Sequence, residues 1–144
     1  MSAIKEKSLK YNLHSWSAQG AIDPTVITKS DGIYFWDEDG KKYYDMSAQL
    51  VNSNLGHGNK AIVNAIKEQA DKIPFIGLGF SLDVRSDAAE AIVEASGLKG
   101  AKVFFTNAGA ESNENAIKMA KQYTGRWKIF SMYRCYHGSS AGAG

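Results

Sequence analysis

Residues 104–126 read FFTNAGAESNENAIKMAKQYTGR, an apolar pair followed by a turn of small residues and then by an amphipathic segment. In that segment apolar side chains recur at the spacing of one helix face, at Ala116, Ile117, Ala120 and Tyr123. A helix is therefore predicted over 109–124, with Gly125 as its C-terminal stop. The β-branched and aromatic run at 102–106 predicts a strand that leads into this helix.

The turn between this strand and this helix has the composition of a phosphate-binding site. The first residues of a helix carry unpaired backbone N–H groups and the positive end of the helix dipole, so they hold an anion without a special side chain. Ala108, Gly109 and Ala110 are small enough for close approach, and Asn107 is expected to cap the helix. A tight, well-capped connection explains the same residues equally well, so this stretch alone leaves both interpretations open.

A second stretch, YHGSSAGAG from Tyr136, follows a strand predicted at 127–132. In α/β proteins ligands bind beyond the carboxyl ends of the strands, where an aromatic ring offers a flat face to a planar cofactor. Ordinary packing of the tyrosine is the alternative. The glycine fingerprints of nucleotide-binding domains are missing, because the chain has no GxxxxGK[ST] and GLGFSL at 77–82 lacks the third glycine of GxGxxG.

The rest of the chain predicts a hairpin, centred on Asp39-Gly40, and two further helices. The predicted elements are strands at 32–37 and 41–46 and helices at 60–71 and 83–96. Residues 1–30 are polar and mixed and predict no regular element. Strands and helices alternate late in the chain, which favours an α/β fold with a parallel βαβ unit and a separate, smaller structure around the hairpin.

The composition narrows the classes of function. Lysine and arginine number 17 against 15 aspartate and glutamate, and a net charge of +2 gives no strong electrostatic field for polyanion binding. Cys135 is the single cysteine and the three histidines are scattered, so neither a disulfide nor a metal site is expected. The start lacks the apolar core of a secretory signal, and no stretch reaches the ~20 apolar residues of a membrane span. The sequence predicts a cytoplasmic protein that binds neither nucleic acid nor membrane.

Together, the turn at 107–110 and the YHGSSAGA stretch resemble the class III (omega) aminotransferases, which use pyridoxal 5'-phosphate and have fold type I. GIYFWDEDGKKYYDMSA and NLGHGNKAIVNAIKEQ are similar to the N-terminal hairpin of that family and to the loop and helix after it. The resemblance extends over nearly the whole chain beyond about residue 12. It implies an N-terminal segment and part of a small domain at 1–74, and the beginning of the large cofactor-binding α/β domain at 75–144.

The resemblance also implies candidate site residues. Backbone N–H groups at the start of the helix would bind the cofactor phosphate, and an aromatic ring would stack on its pyridine ring. The candidate cofactor-binding residues are Ala108, Gly109, Ala110, Tyr136, His137 and Gly138, and the candidate substrate-pocket residues are Trp16, Leu50 and Val51. For Trp16 and Leu50, hydrophobic packing is the interpretation that the residues alone favour.

Both residues that flank Gly109 are alanine, whereas many relatives carry hydroxyl groups around this glycine. A hydrogen bond to a charged group contributes about 1.5–3 kcal/mol, so each missing hydroxyl is expected to weaken cofactor binding roughly tenfold or more. A substitute such as Thr106 or a water molecule would offset this loss.

The catalytic groups of the family lie outside this sequence. In relatives the Schiff-base lysine and the aspartate that pairs with the pyridine nitrogen lie downstream of the tyrosine, so the resemblance implies a truncated, inactive chain without catalytic residues. Lys118 and Lys121 are expected to be solvated. The complete protein would be a homodimer that moves an amino group from an amine or amino acid to a keto acid such as pyruvate. The alternatives are an aminomutase, decarboxylase or racemase of the same fold, or a non-catalytic phosphate-binding module.

Overall fold

The computed structural model describes residues 1–143, which divide into two compact units after Ile76. The first unit contains α1 (Ala3–Tyr11), β1 (Ile27–Asp31), β2 (Tyr34–Asp37), β3 (Lys42–Tyr44), α2 (Ala48–Val51) and α3 (Lys60–Lys72). The second contains α4 (Asp83–Ser96) and α5 (Gly109–Thr124). The assignment of 1–74 to a small domain and of 75–144 to a large one stays a prediction.

A three-stranded antiparallel sheet, in the order β1-β2-β3, organises the first unit. The hairpin predicted around Asp39-Gly40 is confirmed and joins β2 to β3. The Phe35 and Tyr43 rings face each other across this hairpin and stack with their centroids 5.2 Å apart. At the turn, the Asp37 carboxylate accepts a hydrogen bond from the Tyr43 hydroxyl at 2.8 Å and two more from backbone N–H groups. Local contacts therefore fix the hairpin.

Three elements of the first unit do not follow from the sequence pattern, namely α1, β1 and the four-residue α2. α1 begins after Ser2, whose hydroxyl accepts a hydrogen bond from the Lys5 N–H at 3.4 Å. The segment lacks the apolar stripe on which helix prediction depends. In agreement with this, none of the residues of α1 is buried. β1 pairs with β2 as a third strand, although its sequence, ITKSD, is polar at four of five positions.

The three long helices are confirmed where the apolar periodicity predicted them. α3 begins after Asn59, whose side-chain oxygen accepts hydrogen bonds from the N–H groups of Ala61 and Ile62. α4 and α5 end at Gly97 and Gly125, both with a φ of 68°, which glycine adopts without steric cost. No helix within residues 1–143 is both long enough and apolar enough to cross a membrane.

The strands predicted at 102–106 and 127–132 are not formed, and these two assignments are corrected. A strand exists through hydrogen bonds to a neighbour, and the sheet of the described residues contains β1, β2 and β3 alone. Both segments carry the apolar side chains of a buried strand. These side chains are not covered here, since Phe104, Ile129 and Phe130 are 66%, 48% and 90% exposed. Because residues 1–143 supply no pairing partner for them, the parallel βαβ unit is not closed within this part of the chain.

Few apolar residues are buried. Of the hydrophobic residues at 1–143, Val26 and Ala143 are the buried ones, whereas large side chains such as Trp127 and Met132 are exposed. Burial of apolar surface contributes about 25 cal/mol per Å² to stability, so this part of the chain gains little of that term by itself.

We predict that the 144-residue polypeptide alone does not unfold cooperatively, because it lacks the buried contacts that make unfolding an all-or-none transition. Differential scanning calorimetry is expected to show no resolved transition, and size-exclusion chromatography is expected to show association. A monodisperse monomer with a sharp unfolding transition would contradict this expectation.

Candidate functional site

The start of α5 has no side-chain cap. The N-cap residue is Ala108, in an extended conformation with φ of −155° and ψ of 157°, and its methyl group accepts no hydrogen bond. The expectation that Asn107 caps the helix is wrong, because this residue lies one position too early and its backbone N–H donates to the Glu111 carboxylate at 3.0 Å. The first N–H groups of the helix, which have no intrahelical partner, are therefore not occupied by a cap.

Two hydroxyl groups brace the turn before α5. The Thr106 Oγ1 lies 2.5 Å from the Ser112 Oγ, and each of them lies 3.2 Å from the Ala108 carbonyl oxygen. A hydroxyl group donates a single hydrogen bond, so the Thr106 proton is already used within this group of three oxygens. Thr106 therefore stabilises the turn and is not a free donor that replaces the hydroxyl missing at Ala110.

The segment after Tyr136 folds back on α5 through two hydrogen bonds between distant parts of the sequence. The Asn113 side-chain amide donates to the His137 carbonyl oxygen at 2.6 Å. The Gly142 N–H donates to the Glu114 carboxylate, also at 2.6 Å. Two adjacent residues of the helix thus hold the loop near both of its ends, which fixes the loop backbone beside the first turns of α5.

The loop also keeps the Glu114 carboxylate charged. The Ser140 hydroxyl beside it, together with the N–H groups of Gly142 and Ala143, lowers the pKa of the Glu114 carboxyl against the opposing effect of desolvation. A group with a lowered pKa stays ionised at neutral pH, and its contribution is lost only as the pH falls through the lowered value. The contact between loop and helix is therefore charge-assisted throughout the neutral range.

Gly138 allows the loop and the helix to approach each other. It is buried, and its φ of 133° lies in a region that residues with side chains rarely adopt. A β-carbon at this position would lie 2.6 Å from the Cβ of Ala110, which is closer than a real contact permits. A glycine in the loop opposite an alanine in the helix is what the close approach of the two backbones requires.

The structure brings all six candidate cofactor-binding residues together. They line an open cleft of about 490 Å³, whose residues are Ala108, Gly109, Ala110, Asn113, Tyr136, His137, Gly138 and Ser139. Asn113 and Ser139 were not anticipated from the sequence. Asn113 lies four residues after Gly109 and hence on the same helix face, a spacing that could have identified it.

This cleft fits a ligand that joins an anionic group to a flat ring. Backbone N–H groups at the positive end of the helix suit a phosphate, and the small residues at 108–110 leave room for it. Tyr136, which is 67% exposed, supplies an aromatic ring at the same cleft. Pyridoxal 5'-phosphate has both parts. No lysine lines this cleft, so the residues described at 1–143 offer binding groups there without an amine.

The three candidate substrate-pocket residues lie in the first unit. Leu50 and Val51 are neighbours in α2 and are 74% and 71% exposed. Trp16, which is 79% exposed, lies in a turn between α1 and β1. All three have positive φ angles, from 56° to 68°, which is uncommon for residues with side chains. Their role in a substrate pocket stays a prediction.

The family model described as aminotransferase class-III matches residues 16–143. The uncharacterized aminotransferase YhxA of Bacillus subtilis (strain 168) is 33% identical over 97% of this chain and 32% of its own length. An acetylornithine aminotransferase of Bacillus amyloliquefaciens is 38% identical over 78% of this chain and 48% of its own length. The chain thus spans less than half of each of these relatives.

Solved structures are similar over nearly the whole chain. The taurine:2-oxoglutarate aminotransferase of Bifidobacterium kashiwanohense, in complex with PLP and glutamate, gives a TM-score of 0.91 at 50% identity, over 97% of this chain and 31% of its own. A thermostable omega transaminase variant from Pseudomonas jessenii gives 0.90 at 30% identity, over 99% of this chain and 34% of its own. This similarity confirms the expected fold class, an α/β fold of type I.

We predict that Gly138→Ala separates the loop from α5, because the new β-carbon collides with Ala110 and the φ angle becomes unfavourable. In hydrogen exchange on the complete protein, the Gly142 N–H that is bonded to Glu114 is expected to lose about tenfold or more in protection. Gly20→Ala is the matched control, since a β-carbon there meets no atom within 4 Å. Unchanged protection of the Gly142 N–H in Gly138→Ala would contradict the prediction.

Proposed function

The chain belongs to the class III aminotransferases, and on that basis we propose that it is the N-terminal part of a pyridoxal-phosphate-dependent aminotransferase. The observation that carries the proposal is the cleft at the start of α5, where the residues expected to bind the cofactor lie together. The chain spans 31% and 34% of the two solved transaminases described above, so the proposed activity is that of the complete protein.

The cofactor phosphate is proposed to lie at the start of α5. The N–H groups of Gly109 and Ala110 would donate hydrogen bonds to its oxygens, and the helix dipole would attract its negative charge. Tyr136 would lie against the face of the pyridine ring, because aromatic rings pack favourably in an offset stack. Pyridoxal phosphate bound there supplies an electron sink, which allows an amino group to be transferred between two substrates.

The lysine that binds the cofactor covalently is proposed to lie outside this sequence. Lys118 and Lys121 are on α5, but they line a different cleft, together with Ile117 and Trp127. The Lys121 ammonium lies 5.8 Å from the centroid of the Trp127 ring, at the distance of a cation–π contact. Neither lysine is placed at the cofactor cleft, so residues 1–144 alone are proposed to be inactive.

The proposed reaction moves an amino group from an amine or amino acid to a keto acid. Similarity to a taurine:2-oxoglutarate aminotransferase and to an omega transaminase supports a donor whose amino group is not restricted to the α carbon. Taurine with 2-oxoglutarate is therefore the first substrate pair to test, and pyruvate is the alternative acceptor.

A cytoplasmic homodimer is the proposed working form of the complete protein. The exposed, unpaired Cys135 agrees with a reducing compartment. Exposed apolar residues such as Phe104 and Phe130 agree with surfaces that further segments or a second subunit cover.

Borohydride reduction of the complete protein tests this function. Added pyridoxal phosphate is expected to give a visible absorption band, and reduction is expected to attach the cofactor to one lysine beyond residue 144, identified by peptide mass spectrometry. With taurine as donor, 2-oxoglutarate is expected to yield glutamate. If the cofactor is trapped on a lysine but the amino substrate is isomerised or decarboxylated, the protein is an aminomutase, racemase or decarboxylase instead. No band and no trapped lysine would indicate a non-catalytic phosphate-binding module.

We predict that Ala110→Ser tightens cofactor binding in the complete protein about tenfold, because the added hydroxyl donates a hydrogen bond to the charged phosphate. The measurement is the dissociation constant from a titration of the cofactor-free protein with pyridoxal phosphate. Ala3→Ser, at an exposed position of α1 outside the cleft, is the matched control and is expected to leave the affinity unchanged. Unchanged or weaker affinity in Ala110→Ser would count against a phosphate at this helix start.

A further inference from the structure

Four consecutive residues with side chains adopt the left-handed conformation in α2. The φ angles of Ala48, Gln49, Leu50 and Val51 are 47°, 49°, 57° and 68°. In this conformation the β-carbon of an L-amino acid crowds the following carbonyl oxygen, so such residues normally occur singly. A run of four persists only where the surrounding contacts impose it, and strain of this kind clusters at functional sites.

Two polar side chains, one on each side of α2, hold its backbone. The Asp45 Oδ1 accepts a hydrogen bond from the Gln49 N–H at 3.2 Å. The Asn52 side-chain amide donates to the carbonyl oxygens of Gln49 at 2.7 Å and of Leu50 at 3.3 Å. The left-handed turn is therefore fixed through its own donors and acceptors.

His57 fixes Asp45 in turn. The His57 Nε2 lies 2.7 Å from the Asp45 Oδ2, and the two side chains are 15% and 3% exposed. The His57 backbone forms two hydrogen bonds with Gly32, at 2.7 Å and 3.0 Å, and the Asp45 N–H donates to the Ile33 carbonyl at 2.9 Å. Both residues are thus anchored on the turn between β1 and β2.

The Asp45 carboxylate is charged in this environment. Desolvation raises the pKa of the Asp45 carboxyl, but hydrogen bonds from His57 and Gln49 lower it by more, so the net direction is downward. The group is therefore ionised at neutral pH and accepts both hydrogen bonds.

We propose that Asp45 and His57, here called the clamp, hold α2 in its left-handed form and thereby set the direction in which Leu50 and Val51 face the amino donor. Relaxation of α2 to the right-handed form would reverse the sign of φ at both residues and redirect their side chains. This inference rests on the proposed function, in which Leu50 and Val51 line the substrate pocket. The clamp residues act through α2 and are positioning residues.

Kinetics of clamp variants of the complete enzyme test this inference. Asp45→Ala removes the acceptor for His57 and Gln49, and it is expected to raise the KM for taurine about tenfold while kcat changes less than about twofold. The absorption band of the bound cofactor is expected to stay the same. His57→Phe, which keeps a ring but has no nitrogen, is expected to raise the KM by a smaller factor and serves if Asp45→Ala does not fold. An unchanged KM in the clamp variants would overturn the inference.

A glycine at position 48 provides a rescue that a merely structural defect would not show. Glycine adopts positive φ angles without steric cost. Ala48→Gly therefore lowers the energy of the left-handed form of α2, so that this form depends less on the clamp. Asp45→Ala combined with Ala48→Gly is expected to return the KM to within about threefold of the wild-type value. The matched control is Ala18→Gly, at a residue without a positive φ, which is expected to give no recovery. Equal recovery with both glycines, or recovery with neither, would overturn the inference.

The crystal structure of Asp45→Ala separates a failed clamp from a failed function. The φ angles of residues 48–51 are expected to turn negative in that variant, and four retained positive angles would overturn the clamp whatever the activity. If the wild-type complete protein transaminates no donor, the proposed function fails. The role of the clamp in holding α2 is then still tested by the four φ angles in Asp45→Ala.

Discussion

Unpaired N–H groups at the start of α5 are the constraint around which the second unit is arranged. Every helix begins with such groups, and a capping side chain commonly satisfies one of them. Here the cap position is Ala108, which offers no acceptor, and small residues follow, so the helix end stays accessible. The loop after Tyr136 returns to the same place, because Asn113 and Glu114 bind its backbone and Gly138 puts no β-carbon in the way. A phosphate-bearing cofactor with a flat ring satisfies both halves of this arrangement.

The first unit contains the strained backbone of α2, whereas the second unit contains the uncapped N–H groups at the start of α5. Its sheet anchors Asp45 and His57, and their hydrogen bonds keep α2 left-handed. Gly56 allows the backbone before His57 to approach Gly32, since its φ is 84° and a β-carbon there would lie 3.3 Å from the Gly32 carbonyl oxygen. The turn residues in NLGHGN thus bring His57 against the sheet. Strained backbone that must be held in place is typical of sites whose side chains need a fixed direction.

Sequence alone predicts the features that neighbouring residues determine. The helices at 60–72, 83–96 and 109–124 follow from apolar spacing, and the last two also from their glycine stops, while the hairpin follows from Asp39-Gly40. The strands predicted at 102–106 and 127–132 fail because pairing depends on residues elsewhere, and α1 is missed because it buries nothing. The motifs predict the residues of the candidate cofactor cleft, but the contacts that close this cleft join residues 24 and 28 positions apart. Such contacts leave no periodic pattern in the sequence.

A crystal structure of the complete protein with pyridoxal phosphate is the most direct measurement. The phosphate oxygens are expected at about 3 Å from the backbone nitrogens of Gly109 and Ala110, with the Tyr136 ring against the pyridine ring. A phosphate bound away from the start of α5, or a Tyr136 ring that does not touch the cofactor, would contradict the site described for this chain.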